Sequence, residues 1–358
     1  MTTELTAIEE AAIETFAEKV LGDMAGAYTF FMAGLGDRLG LFTDLAANGP
    51  ATSRELADRS LLDERYVREW LGGMAAAGYL EYDPDSRRYN LPPHHEPVLA
   101  EEAGPAFFGA AFFNFSTNFG ESFHRLLEAF RSGEGVPQQT YQEAPAAIER
   151  FTAPWFEHML VPVWLPAMPD VQAMLERGAS VCDIGCGQGR AVIRLTQAFP
   201  NSTFVGYDVF EPVVREARRK AELAGVSERV RFEQRDAGKG IPGQHDVVTT
   251  FDVLHDSTDP PGILRAIRSA LKPTGLFVCV DINCSDRPEE NLGPMAAVQY
   301  GLSLEYCLPV SLAGAGAGLG TLGLPERRLT ALATEAGFSE VRRVPIDDPL
   351  NNLYEIRP

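Results

Sequence analysis

Residues Val181-Cys182-Asp183-Ile184-Gly185-Cys186-Gly187-Gln188-Gly189-Arg190 hold the densest chemistry in the chain. They read as a buried strand that ends in an acid, turns on alternate glycines and enters a helix. Glycines at such a turn let backbone approach a ligand closely, since no Cβ intervenes. A helix starting near Gly189 would offer unpaired N–H groups to an anion. Two familiar phosphate cradles fail on spacing. The dinucleotide fingerprint needs a glycine at the sixth position counting Gly185 as the first, where Arg190 stands, and no Gly-Lys-Ser/Thr follows to make a P-loop. Four acids then mark successive predicted strand ends: Asp183, Asp208, Asp236 and Asp252. Such carboxylates can accept hydrogen bonds from hydroxyls and amino groups and can pair with an ammonium. Val209, Ala237 and Phe251 stand beside them. Val253-Leu254-His255-Asp256 follows the fourth strand, which aims a histidine, the side chain suited to moving protons near neutral pH, at the same rim.

Those residues need a frame, and from Ala179 onward the chain alternates strand and helix. Val181–Ile184, Thr203–Asp208, Val230–Glu233, Asp246–Phe251 and Leu276–Val280 are continuous apolar strands; helices are expected over 190–198, 212–225 and 261–271. This rhythm predicts an α/β fold with a parallel sheet covered on both faces. A last helix (326–336) and two short strands (341–346, 353–356) would close it, with an antiparallel hairpin. Ligands of such sheets lie at the carboxyl ends of the strands.

The spacing Asp183-x-Gly185-x-Gly187-x-Gly189 resembles the first motif of class I S-adenosylmethionine (SAM) dependent methyltransferases, a resemblance that covers roughly residues 171–358. It implies a Rossmann-like sheet with SAM as cofactor and S-adenosylhomocysteine (SAH) as product. Asp183, Gly185, Cys186, Gly187, Gly189, Asp208, Val209, Asp236, Ala237, Phe251 and Asp252 would line the cofactor. Asp208 would take the ribose hydroxyls, Asp236 the adenine amino group and Asp183 the ammonium. SAM carries no phosphate, so no phosphate-binding lysine is needed. His255-Asp256 resembles the His-Asp dipeptide of plant and bacterial small-molecule O-methyltransferases, which makes His255 a general base and Asp256 its orienting partner or a helix cap. Here Ser257-Thr258-Asp259-Pro260 replaces that family's usual continuation.

Ahead of this domain, Thr52–Ala57 with Ser53 as N-cap, then Asp63–Leu71, then strands at 79–82 and 87–91 around a Asp83–Ser86 turn, give the order of a winged helix. Arg65 and Arg68 on its second helix stand among Asp63, Glu64 and Glu69, so no positive stripe faces phosphates. With 31 basic against 50 acidic residues the net charge is −19, which argues against broad attraction to nucleic acid or anionic membranes. The apolar pattern from Ala11 to Leu45 suggests a homodimer. We expect three parts: N-terminal helices and winged helix (1–100), a helical connector lining a substrate pocket (101–170), and the SAM-binding domain (171–358) with an insertion at 283–324. The aromatic run Phe107–Phe115 reads as buried, and His124 and His158 beside it as weaker pocket candidates. The glycine-alanine stretch 313–320 reads as a flexible pocket rim. Five cysteines without Cys-x-x-Cys or a histidine at ligand spacing give no expectation of a metal site or disulfide, and fit a reducing, cytoplasmic setting. The whole combination, including Val310-Ser311-Leu312-Ala313 and the glycine-rich loop, resembles a group of actinobacterial two-domain methyltransferases. The resulting expectation is methylation of a small molecule, most readily on oxygen. Nitrogen or carbon methylation is the alternative within the class, and a SAM-sensing DNA-binding regulator the alternative outside it.

Overall fold

The computed structural model describes residues 6–358, without the side chains of Ala7 and residues 110–115. The chain forms two compact units that meet in sequence between Thr117 and Asn118. The first holds α1 (Ala7–Arg38), α2 (Leu41–Asn48), α3 (Ser53–Ser60), α4 (Glu64–Ala76), the antiparallel pair β1 (Glu81–Asp83) and β2 (Arg88–Asn90), and α5 (Glu96–Leu99). An Ala51–Tyr89 bridge sets a third chain segment beside the wing. Its core gathers Leu41, Phe42, Leu56, Trp70, Leu71 and Met74. The Trp70 indole donates to the Met32 carbonyl at 2.8 Å and lies so close to Gly36 that a Cβ there would be 2.3 Å away. Helix α3 starts one residue earlier than read from sequence. Thr52 and Glu55 form a reciprocal capping box, while Ser53 donates instead to Glu64 on the next helix.

Helix α6 (Gly109–Ser132) crosses the boundary, so the expected connector is divided between the units. Of its aromatic run, Phe107 is buried and Phe108 is exposed; Phe112, Phe113 and Phe115 lie outside the described side chains. Helix α7 (Ala144–Trp155) passes into a π-helical stretch, Phe156–Trp164, that contains Pro162, and α8 (Pro169–Arg177) leads to the sheet. The strands are β3 (Ser180–Ile184), β4 (Thr203–Asp208), β5 (Val230–Gln234), β6 (His245–Phe251), β7 (Leu271–Ile282), β8 (Glu340–Val344) and β9 (Asn351–Arg357), in the order β5-β4-β3-β6-β7-β9-β8. The first five run parallel; β9 is antiparallel to both β7 and β8.

Side-chain alternation splits the inner strands between two layers, while the edge strand β5 buries only Val230 and Phe232. Val181, Val247 and Val278 pack with α8, α9 (Arg190–Ala198) and α10 (Glu211–Leu223), whereas Cys182, Val248 and Cys279 pack with α11 (Pro260–Ala270) and α14 (Glu326–Glu335). That is why the strands read as unbroken apolar runs. The insertion folds as α12 (Pro294–Leu302), a π-helical turn Ser303–Cys307 and α13 (Leu308–Ala313). No described helix is long and apolar enough to cross a membrane.

Candidate active site

The strand order reverses beside β3, and the glycine turn leaves that strand's carboxyl end. Gly185 is left-handed (φ +69°), and a Cβ there would lie 2.4 Å from Val253 Cγ2. The Gly185 and Cys186 N–H groups both donate to the Tyr207 carbonyl, at 2.8 and 3.1 Å, and the Cys186 side chain is core. Gly187 is also left-handed (φ +52°), yet no heavy atom lies within 4 Å of where its Cβ would be. It is the glycine of the turn that borders open space, and its N–H donates to Asp208 Oδ2 at 2.9 Å. Gly189 begins α9 against Phe232.

The acids take the predicted strand-end places. Asp208 Oδ1 accepts from the Phe210 N–H at 2.9 Å, and burial pushes its carboxyl up. Val209 is exposed and offers its carbonyl to Gln234. Asp236 caps the short turn Ala237–Lys239 through the Gly238 N–H and pairs with Lys239 at 3.1 Å; Ala237 is buried. Asp183 is buried and accepts from the Thr249 hydroxyl. Burial, aided by the Asp208 charge and opposed by that hydrogen bond, pushes it up to about 7. Phe251 packs its ring against Phe156 and Trp164. Asp252 sits at φ +54°, a backbone state that a non-glycine side chain holds at a cost, and its Oδ1 has no partner. Burial, then the neighbouring Asp281, push its carboxyl up to about 8.

His255 is 3% exposed and places Nδ1 2.8 Å from Asp281 Oδ1. Asp281 lies near the end of β7, 1% exposed, with its other oxygen unpartnered. Burial works against an imidazolium here, but the Asp281 charge and hydrogen bond, joined by a hydrogen bond with Cys307, hold His255 well above its ordinary value. The carboxylate that orients the imidazole is therefore Asp281, not its sequence neighbour Asp256. Nor does Asp256 cap α11, because Asp259 does so through the Gly262 N–H at 2.8 Å. Asp256 remains in the cluster; burial, against the pull of His255, pushes it up to about 6.

Cys307 comes from the insertion and accepts from the Thr321 hydroxyl at 3.2 Å. One ligand-type atom each from His255, Asp256 and Cys307 lies within 4.8 Å of the others, a grouping that the cysteine spacing gave no reason to expect. The stretch 313–320 is anchored to the segment after β6 at particular points, although Ala313, Gly314, Ala315 and Ala317 are exposed. Ser311 Oγ donates to the Ser257 carbonyl at 3.0 Å, Ala317 N–H donates to Thr258 O at 2.9 Å, and a Cβ on Gly316 would be 2.6 Å from Thr258 Cα. Arg190, one conceivable partner for a ligand carboxylate, is engaged by Glu149 and Glu157. His124 meets Phe123 edge to face.

Sequence reasoning missed Asp281 and Cys307. Asp281 carried a signal, since it closes the apolar run Leu276–Val280 as the other acids close theirs. Cys307 carried none, because only the folding of the insertion brings it to His255.

A methyltransferase-domain family matches residues 175–302, and an Rv2258c-like winged helix-turn-helix family matches residues 27–101. The ubiquinone biosynthesis O-methyltransferase of Neisseria meningitidis serogroup C (strain 053442) is 33% identical over 129 residues, 35% of this chain and 52% of that protein. That of Ruegeria pomeroyi is 35% identical over 106 residues, 30% of this chain and 42% of that protein. The chain thus spans about half the length of the curated relatives it matches. Among solved structures, the mitomycin 7-O-methyltransferase MmcR superposes with a TM-score of 0.70 at 23% identity, covering 97% of this chain and 99% of its own. PigF with SAH gives 0.72 at 21%, covering 95% and 99%. Human N-acetylserotonin methyltransferase with SAM gives 0.69 at 18%, covering 100% and 99%. At these identities the likeness establishes the fold. Residues 27–101 are thus similar to an Rv2258c-like winged helix-turn-helix family and residues 175–302 to a methyltransferase-domain family, the latter on the seven-stranded sheet described above.

Proposed function

We propose that this protein is a SAM-dependent methyltransferase that methylates a hydroxyl group of a small, partly apolar molecule and releases SAH. The fit of SAM to the strand-end rim rests on charge and space. SAM brings an ammonium, a sulfonium, vicinal hydroxyls and an adenine amino group. The rim offers a buried carboxyl at Asp183 that only the Thr249 hydroxyl meets among the described hydrogen bonds, a second at Asp252 whose Oδ1 has no partner, and open space at Gly187. Asp183 would hold the ammonium, Asp208 the ribose hydroxyls and Asp236 the amino group, with Val209, Ala237 and Phe251 around them. Bound there, SAM supplies a methyl group already activated for in-line displacement.

The observation that carries the reading is the buried His255–Asp281 pair at the ends of β6 and β7. With Nδ1–H donating to Asp281, the neutral ring carries its lone pair on Nε2, the atom that takes the proton from the acceptor hydroxyl; because the Asp281 charge and the Cys307 hydrogen bond favour the imidazolium, that neutral form grows as pH rises. Asp281 fixes the ring and balances the imidazolium as it forms. A dry pocket and fixed orientation do the rest. The regulator alternative finds no support on α4, where Arg65 pairs with Glu69 and Arg68 with Glu64.

The test separates cofactor from base. Calorimetry with SAH is expected to give one site per chain, lost in Asp208→Ala. His255→Gln is expected to keep SAH affinity while kcat falls by about 10²- to 10⁴-fold, the usual share of a general base. A folded protein that takes up neither SAM nor SAH would sink the reading; full kcat in His255→Gln would remove the base.

The proposal also includes a second copy of the chain as the partner of α1. Along that helix Ile13, Phe16, Leu21, Met24, Tyr28 and Phe31 are each more than half exposed. Their spacing forms an apolar row, and a row of this kind can pack on its own twofold mate. Free, largely buried cysteines suit a cytoplasmic enzyme.

A further inference from the structure

Three donors of different chemistry meet beside the proposed base. His255, Asp256 and Cys307 come from the segment after β6 and from the insertion, and one ligand-type atom of each lies within 4.8 Å of the others. Ligand atoms around a tetrahedral zinc sit roughly 3.3–3.7 Å apart, given metal–ligand bonds of about 2.0–2.3 Å. A small inward shift would therefore complete the set. Three protein ligands with a fourth position open is the arrangement of zinc sites that exchange water or substrate, and imidazole, thiolate and carboxylate together suit zinc rather than magnesium or calcium.

The surroundings point the same way. His255 Nδ1 is held by a buried carboxylate, Asp281, at 2.8 Å, which leaves Nε2 as the nitrogen for a metal. Such an outer carboxylate is the usual means of fixing a metal-bound imidazole and raising its basicity. Asp281 Oδ2 has no partner, although the residue is 1% exposed. Cys307 is steadied by the Thr321 hydroxyl, and the Ser311–Ser257 and Ala317–Thr258 bonds fasten its segment to that of His255. The donors are thus held by packed backbone on both sides.

We propose that His255, Asp256 and Cys307 form a binding site for a single zinc ion, with Asp281 as the residue that positions the imidazole. Binding places the metal on His255 Nε2 and displaces the imidazolium proton of that nitrogen and the thiol proton of Cys307 to solvent. The consequence rests on the methyl-transfer reading: an occupied site has no lone pair left on Nε2 for the acceptor proton, so zinc inhibits transfer.

Metal uptake is tested on the full chain after chelator treatment, without SAM or acceptor. Zn²⁺ titrated against a chromophoric chelator is expected to bind one equivalent per chain. Asp281→Asn is expected to weaken it by about 10- to 100-fold, the effect of losing an outer carboxylate. Co²⁺ substitution is expected to give a sulfur-to-metal charge-transfer band and tetrahedral d–d absorption, and Cys307→Ser to abolish the band while circular dichroism stays native. Asp256→Asn, a smaller change, provides a second ligand variant if Cys307→Ser unfolds. No stoichiometric zinc uptake, or an unchanged cobalt spectrum in folded Cys307→Ser, would overturn the site. Zinc bound without loss of methyl transfer would overturn the shared use of Nε2. Either failure leaves SAH binding, measured separately, as evidence for or against the methyltransferase.

Discussion

Asp183 shows how one buried carboxyl couples stability to ligand binding. Its proton affinity is raised from the ordinary 3.8 to about 7, chiefly by burial. The folded chain therefore binds a proton that the unfolded chain releases between those values. Stability from this group is present below pH 4 and is lost as pH rises through 7, a swing of about 4 kcal/mol at 1.4 kcal/mol per unit. Asp183→Asn is expected to flatten that decline in chemical-denaturation curves taken from pH 4 to 8. SAH affinity should follow the opposite course in the wild type, strengthening as the carboxylate forms to meet the ammonium. The glycines give a second residue-scale prediction. Gly185→Ala meets both Val253 and a left-handed backbone, so it should destabilise the fold by about 1–3 kcal/mol. Gly187→Ala meets no neighbour and should cost about 1 kcal/mol of strain, yet reduce SAH binding at least about tenfold, because its Cβ enters the open space. Calorimetry and melting curves on the two variants distinguish these roles; equal SAH affinity in Gly187→Ala would count against the proposed cradle.

At the scale of elements, the strands after β2 were legible because burial on both faces leaves runs that only a covered sheet explains. Helix ends were harder. Thr52-x-x-Glu55 announces a capping box as plainly as any sequence can, yet the adjacent Ser53 is an equally good cap by type, and only its bond to Glu64 settles the choice. The aromatic approach to the sheet read as ordinary helix, but Phe156–Trp164 winds as a π-helix, a state without a residue code of its own. The glycine-alanine stretch mixes two states: Ala313, Gly314, Ala315 and Ala317 are exposed, whereas Gly316 presses on Thr258. Small residues serve in both settings, and composition does not say which. Gly316→Ala tests this packing. A methyl group 2.6 Å from Thr258 Cα must move the segment that carries His255, so kcat should fall while SAH affinity changes by less than about twofold, or 0.4 kcal/mol. The His255–Asp281 contact spans 26 residues and joins two strand ends, so no local pattern contains it.

For the whole molecule, charge and the α1 surface decide what the protein meets. With a net charge of −19 and the α4 arginines already paired, duplex DNA should show no retardation at physiological salt, whatever the winged-helix ancestry of the first unit. The partner is expected to be another copy. Light scattering should report twice 39.1 kDa, and Phe16→Lys with Leu21→Lys should return the mass to one chain. Helix α1 is 32 residues long, about 48 Å at 1.5 Å per residue, so its exposed row is too extensive to be a local accident. If that row is covered only by association, folding and assembly share one equilibrium. The thermal midpoint will then climb with protein concentration, and dilution alone will make the protein fragile.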